Sequence, residues 1–543
     1  MKRTGWIVCA AIAFTNFSSR GAEALPARQW GVTELTFTAS HGIADPFDFE
    51  RADFSAVFRG PAGAELKIPG FWDGGRTWRI RFTPTAPGRW QYETRFSDAS
   101  ETGLHGQRGV LDVRPPLTDT PLHQHGGFLK VAAHSRYLTY SDGTPFFWLG
   151  DTWWAAPSAN VPLEVFKQQV DARLAQGYTV FQMHGHRPLT DDSKLGAFEA
   201  TCHADAETLR YWQQVDLYLS YAEARGMVGC IGFARGDMFD PISIMDLKRL
   251  WRYYLARYGA YPVLFLITQE YNIEPDKRQQ HLPKMLAIGQ FIKEIDPYRR
   301  SLTVHPWARS RDLGQAWGEP WLDFIMFQAG HRRFESAKAY HTIWQRPSPK
   351  PFVEAEANYE GFAATNFNVN AAAIRRSAYT AMQAGSFGFT YGAQGLYAGV
   401  QAKVRPGPTS KWGPVLTSTE GLALPGGAQL QHLRACYEQV DWWKLEPQPK
   451  VLEPSADILV KTDGTATWLL YYLNKVKIPA GCHLKNMPEG QVYSATWFDP
   501  RIGCTTKLPD GCVVRSCKLV LPSPPDAQDW MLILRSTGKQ GPK

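Results

Sequence analysis

Hydrophobic and polar positions change their period twice along this chain. From about residue 25 to 117 apolar and polar residues alternate in short runs, "ELTFTAS", "DFSAVFRG", "TWRIRFTPT", "GRWQYETRFSD" and "GVLDVRP", with Gly, Pro and Asp between them. A period of two in short segments bounded by turn residues predicts a β-sandwich. "RPPLTDTP" (114–121) reads as a linker. From about 118 to 447 the pattern becomes apolar runs separated by segments of helical period. The runs are "FFWLG", "YTVFQM", "MVGCIGF", "VLFLIT", "SLTVH", "DFIMFQ", "PFVEAE" and "FGFTYG". Between them lie amphipathic stretches such as "LEVFKQQVDARLAQ", "TLRYWQQVDLYLSYAEARG" and "LPKMLAIGQFIKEID". Eight such strands alternating with helices predict an α/β fold, a (β/α)8 TIM barrel. An open doubly wound sheet lacks support, because no Gly-rich phosphate loop follows the first strand. From about 448 to 543 short strands return ("ADILVKT", "TATWLLYYLN", "YSATWFDPR", "DWMLILR"), predicting a C-terminal β-sandwich.

The segment before the first sandwich is different. Lys2 and Arg3 precede a short apolar run, Gly5 to Phe17, and Ala22-Glu23-Ala24 follows as a cleavage-like site. This is the pattern of a signal peptide over residues 1–24, and it predicts an exported protein, periplasmic or extracellular. No later segment is long and apolar enough to span a bilayer.

Composition adds less. The 543 residues exceed what one core supports, consistent with three domains. Net charge is +8, but the basic residues are scattered with no run of five or more, which argues against a nucleic-acid partner. Twenty Trp, 22 Tyr and 29 Phe are enough both to fill cores and to line a sugar-binding face. Of eight cysteines, Cys9 lies in the signal segment, and Cys482, Cys504, Cys512 and Cys517 cluster near the C-terminus. In an oxidising compartment one or two disulfides are expected there, with connectivity open.

In a TIM barrel the active site forms at the C-terminal ends of the strands. The first strand delivers Asp151, then Trp153 and Trp154; the second Gln182, His184 and His186; the third Arg235 and Asp237. The fourth delivers Gln269, Glu270, Tyr271 and Asn272; the fifth His305 and Trp307; the sixth Gln328 and His331. The seventh delivers Glu354, Glu356, Tyr359 and Glu360, and the eighth Tyr391. Glycoside hydrolysis needs two carboxyl groups flanking the scissile bond. Strands four and seven face one another across the mouth, so Glu270 and Glu356 are the candidate catalytic pair. Glu354 competes with Glu356, and strand alternation cannot separate residues two apart; proximity to the strand end favours Glu356. Asp151, Trp153, His184, His186, Gln269, Asn272, His305, Trp307, Gln328, His331 and Tyr391 are the candidate substrate-binding residues. "HGH" (184–186) also resembles the His pair of metal-dependent hydrolases. Those enzymes place it on the first strand, whereas here it follows the second, so no metal and no cofactor is expected.

"PFFWLGDTWW", "HGHRP", "LITQEYN", "VHPWARS", "DFIMFQAGH", "KPFVEAEANYEG" and "FGFTYGAQGLYAG" together resemble the apiosidase-like glycoside hydrolases. The stretch "IPGFWDGGRTWRIRFTPTAPGRWQYETRFSD" is similar to the β-sandwich that often precedes such barrels. "TWFDPRIG" resembles a small C-terminal β domain of relatives that carries a collagen-binding label. The resemblance implies a (β/α)8 enzyme acting on a plant or algal polysaccharide or oligosaccharide. It implies an acid/base at Glu270, a nucleophile at Glu356 and retention of configuration. It also implies that Asp151, His184, His305, Gln328, His331 and Tyr391 face the substrate. One departure stands out. Glu270 occupies a position where the family pattern has Asp, and Gln269 one where it has Gly, so the acid reaches about one methylene further and reshapes the subsite. Two alternatives remain from the residues themselves: a carbohydrate-binding protein without catalysis, and a metal-dependent hydrolase using the His pair.

Overall fold

The computed structural model describes residues 24–158, 161–184, 206–232, 242–272, 275–308, 313–331, 334–364, 367–400, 409–509 and 511–539. The signal segment read at residues 1–24 therefore lies outside the described residues up to position 23, as do His186, Arg235 and Asp237.

The N-terminal strands pair as two sheets, one of five strands and one of three. Their inward aromatic residues form one core, in which Phe58 and Phe82 stack at 3.9 Å beside buried Trp78 and Trp90. The barrel is closed by eight parallel strands in chain order. These strands, β1 to β8, are Trp148–Thr152, Val180–His184, Val228–Gly232, Val263–Gln269, Leu302–His305, Phe324–Phe327, Phe352–Glu354 and Gly388–Tyr391. They read as nearly continuous apolar runs because helices cover their outer face. Closure of β8 on β1 depends on Gly388, where a Cβ would lie 2.5 Å from the Trp148 side chain. Helices Leu163–Ala175, Ala206–Arg225, Ile244–Tyr258, Pro275–Ile295, Ala337–Trp344 and Ala371–Gln383 form the outer layer, and a short 3₁₀ turn, Gly314–Gly318, stands between β5 and β6. Ser243, Ser336 and Asn370 cap three of these helices by accepting backbone N–H groups.

Both flanking domains are fixed to the barrel by buried polar contacts. Arg81 of the first sandwich donates to both oxygens of Asp216 on the barrel, at 2.8 and 2.7 Å. Arg257 grips the same Asp216 and reaches back to Asp73. On the other side Arg375 donates to both oxygens of Asp529, and the Gln383 amide donates to the carbonyls of Leu459 and Leu469. Bidentate Arg–carboxylate pairs fix orientation as well as distance. The barrel is thus held between two docked β domains.

One cysteine expectation is corrected. Cys482, Cys504, Cys512 and Cys517 are all free thiols. Cys482 is buried in the C-terminal core, whereas Cys504 and Cys517 are exposed, so the side chains share a sequence neighbourhood without converging.

Candidate active site

The end of β4 departs from regular strand geometry. Its register with β5 shifts between Leu266 and Gln269, and Glu270 then adopts a left-handed backbone conformation, φ +52°. Non-glycine residues rarely adopt this conformation, and it costs of order 1 kcal/mol. The Glu270 N–H is held by the His305 carbonyl at 2.6 Å. Bulge and turn together redirect a buried strand into a half-buried carboxylate at the mouth.

The end of β7 separates the two competing glutamates. The ladder stops at Glu354, which pairs with Phe327, and the chain bends at Glu356. Glu354 is buried toward the helix layer, where the Tyr340 hydroxyl donates to it at 2.7 Å. Glu356 faces the mouth instead, because the bend breaks the alternation that would have placed both on one face.

Glu356 is surrounded by donors. Gln269 Nε2 lies 3.3 Å from one oxygen and His305 Nε2 3.4 Å from the same oxygen. His331 Nε2 lies 3.2 Å from the other. The Tyr359 hydroxyl and the Gln328 amide also stand near enough to this carboxylate to affect its ionisation. Burial alone would raise its pKa. The His331 hydrogen bond, the nearby His305 and His331 rings and the Gln328 amide outweigh that and hold it well below the usual carboxylate range. His305 is pushed the other way: burial lowers its pKa more than the Glu356 anion raises it, so it is neutral near pH 7. His331 is fixed from behind by a contact between Nδ1 and the Ala357 carbonyl, 3.1 Å. A carbonyl only accepts, so Nδ1 carries a proton, and the Nε2–Glu356 contact needs a second proton on the ring or on the carboxyl.

Gln328 stands at the end of β6. Its Nε2 donates to Glu270 Oε1 at 3.1 Å, while Gln269, next to Glu270 in the chain, donates to Glu356. The Gln269 and Gln328 amide oxygens are buried without a protein partner. Behind them the Gln182 amide donates across the barrel to Thr152 and to the Ala355 carbonyl, both at 2.9 Å, and steadies the segment before Glu356.

Aromatic rings wall the Glu356 side. Trp154 stacks on His184 at 4.9 Å, meets His305 edge-on and donates from Nε1 to the Tyr359 hydroxyl at 3.2 Å. Phe362 and the half-buried Trp412 stack at 4.9 Å, and Trp412 meets His331 edge-on at 5.4 Å. Trp412 is carried by a small hairpin, Thr409–Ser410 with Gly413–Pro414, whose Trp412 carbonyl accepts the Ala363 N–H. The loops after β7 and β8 are thereby joined into one wall.

Several candidates from the sequence lie elsewhere. Asp151 is fully buried and accepts from Arg173 Nε at 2.6 Å. Tyr391 donates its hydroxyl to Glu360 at 2.6 Å, and Glu360 also accepts the N–H groups of Gly426 and Gly427 at the start of helix Pro425–Tyr437. These residues form a brace among β1, β8 and that helix. Trp153 is core, stacked on Phe181, and its neighbour Trp154 faces the mouth. Asn272 is buried and accepts the Trp307 N–H at 2.8 Å, which joins the β4 and β5 loops. Glu270, Glu356, Gln269, His305, Gln328, His331 and His184 do converge, and Trp154, Tyr359 and Trp412 join them. Among the described residues, no group of three or more His, Cys, Asp or Glu is placed to hold a metal ion.

The family of apiosidase-like catalytic domains matches residues 132–444, which is more than half of the chain. The chain belongs to the apiosidase-like family and is a glycoside hydrolase. Ahead of the apiosidase-like domain, residues 26–97 match a domain of unknown function, DUF5060. No curated protein matches in sequence. Among solved structures, a candidate glycoside hydrolase from Bacteroides vulgatus ATCC 8482 is 18% identical, covers 94% of this chain and 100% of its own, and superposes with a TM-score of 0.71. A glycoside hydrolase family 5 structure from the same organism is 20% identical over 77% of this chain and 95% of its own, with a TM-score of 0.64. At these identities the likeness is one of fold, and it extends beyond the apiosidase-like barrel to the flanking β regions.

Proposed function

We propose that this enzyme is a retaining glycosidase in which Glu356 is the nucleophile and Glu270 the general acid/base. Glu356 attacks the anomeric carbon as Glu270 protonates the departing glycosidic oxygen, leaving a glycosyl ester on Glu356. Glu270, now a carboxylate, takes a proton from water as that water displaces Glu356, and the starting anomeric configuration returns. The observation that carries this reading is a pair of crossed amide bonds: Gln328 donates to Glu270 at 3.1 Å, and Gln269, the residue before Glu270, donates to Glu356 at 3.3 Å. Glu356 bonded to the neighbour of Glu270 favours the close pair of retention, about 5–5.5 Å, over the wider gap that admits water for inversion. The donors around Glu356 support its role, because a nucleophile must be ionised before it attacks. The unpaired amide oxygens of Gln269 and Gln328 suit sugar hydroxyl donors, and the Trp412 and Phe362 stack suits a sugar ring.

We take the substrate to be a plant or algal polysaccharide or oligosaccharide, and the basic, apolar leader of residues 1–24 to direct export. Replacement of Glu356 by Gln tests the assignment. Turnover should fall by several orders of magnitude while the thermal unfolding transition is retained, and near-normal turnover would refute it.

A further inference from the structure

Glu354 is a fully buried carboxyl beside the mouth that the proposed reaction does not use. Its Oε1 accepts the backbone N–H of Ala329 at 3.2 Å and of Glu356 at 3.1 Å. Its Oε2 accepts the Tyr340 hydroxyl at 2.7 Å, and its own N–H is held by Ser386 Oγ at 3.0 Å. The β6–β7 ladder ends at the pair Phe327 and Glu354. Beyond it the regular ladder is interrupted, and the N–H groups of Ala329 and Glu356 bond to the Glu354 carboxyl rather than to ladder carbonyls.

We propose that Glu354 is a positioning residue, whose carboxyl replaces the missing ladder bonds and holds the Gln328 and Glu356 segments in register. Ala329 immediately follows Gln328, and Glu356 is the nucleophile of the reading on which this proposal rests. One oxygen atom therefore ties the segment whose Gln328 amide holds Glu270 to the segment that carries Glu356. The contacts Ala355 N–H to the Phe327 carbonyl, 2.7 Å, and Gly330 N–H to the Glu356 carbonyl, 2.9 Å, complete the lacing on either side. Burial pushes the Glu354 carboxyl up to about 8, more than its three donors lower it. It is then neutral at pH 7 and sets no second negative charge beside Glu356.

The test compares Glu354→Gln, Glu354→Asp, Glu354→Ala and Tyr340→Phe with Glu356→Gln. The probe is a plant cell-wall polysaccharide digest, with released reducing ends giving kcat and KM, and thermal unfolding confirming the fold. The Gln variant keeps a carbonyl at the Oε1 position, so kcat at pH 7 should stay within about threefold of the parent. The Asp and Ala variants cannot bridge both N–H groups, and each should lose about 10- to 100-fold in kcat with KM within about twofold, since the two segments lose their shared acceptor. Should the Ala variant not fold, the Asp and Tyr340→Phe variants decide, the latter with a several-fold fall in kcat. Parental kcat in the Asp or Ala variant, or equal losses in Gln and Ala, overturns the proposal while an inactive Glu356→Gln leaves the nucleophile assignment standing. An active Glu356→Gln removes that assignment instead.

Discussion

The side-chain amide of Gln328 donates to Glu270 at 3.1 Å from the end of the sixth strand, although Glu270 itself ends the fourth. The Gln269 amide, at the end of the fourth strand, donates in turn to Glu356 beyond the seventh at 3.3 Å. Each carboxylate thus accepts an uncharged amide from a strand other than its own. Replacing Gln328 by Leu, of similar size and with no donor, should lower kcat/KM by about 10- to 100-fold, since hydrogen bonds to charged groups contribute about 1.5–3 kcal/mol. Steady-state kinetics on any cleaved oligosaccharide, with thermal unfolding as a control for the fold, measures this.

Trp412 separates binding from chemistry. Its ring lies on Phe362 and beside His331. Trp412→Ala should raise KM by about three- to tenfold, the size of a lost aromatic stacking contact, with kcat little changed. A fall in kcat at constant KM would place the ring in the transition state instead.

The pH dependence follows from the depressed Glu356 pKa. The proposed nucleophile must be an anion, and its folded-state pKa lies below the unfolded value near 4.3. Activity should therefore persist as pH falls through the ordinary glutamate range. The same depression stabilises the fold above the unfolded pKa and is lost as pH falls through the folded one. Removing His331, the hydrogen bond that most lowers this carboxyl, should move the acidic limb of kcat/KM upward. A pH–rate profile of His331→Ala against the parent reads that shift.

Glu354 has the opposite sign. With its folded pKa raised to about 8, the native state holds a proton that the unfolded chain releases near 4.3. Stability from this group is full at low pH and declines as pH rises between those values. Denaturant unfolding of the parent and of Glu354→Gln, compared at pH 5 and pH 8, should show the parent losing a few kcal/mol relative to the variant.

The barrel was legible because buried parallel strands read as apolar runs, and each of the eight runs falls on one strand of the closed sheet. The facing of side chains at strand ends was less so. Asp151 and Tyr391 stand where a barrel presents its site, yet Arg173 and Glu360 draw them into the helix layer. Those partners sit on other elements, and one of them is anchored by Gly426 and Gly427 at the start of a later helix. No local pattern encodes such a contact. Trp153 and Trp154 are adjacent, and only packing against Phe181 or His184 tells core from mouth. Glu354 and Glu356 share a strand period, and a bend at Glu356, invisible to periodicity, separates structure from chemistry.

In the proposed mechanism Glu270 and Glu356 act as an acid and a nucleophile across one glycosidic bond. The anomeric configuration of the first-formed sugar product, followed by proton NMR before mutarotation, tests this most directly. Retention of the configuration of the cleaved bond is the expected result. First release of the opposite anomer would mean that water, not Glu356, attacks the sugar, and would contradict it.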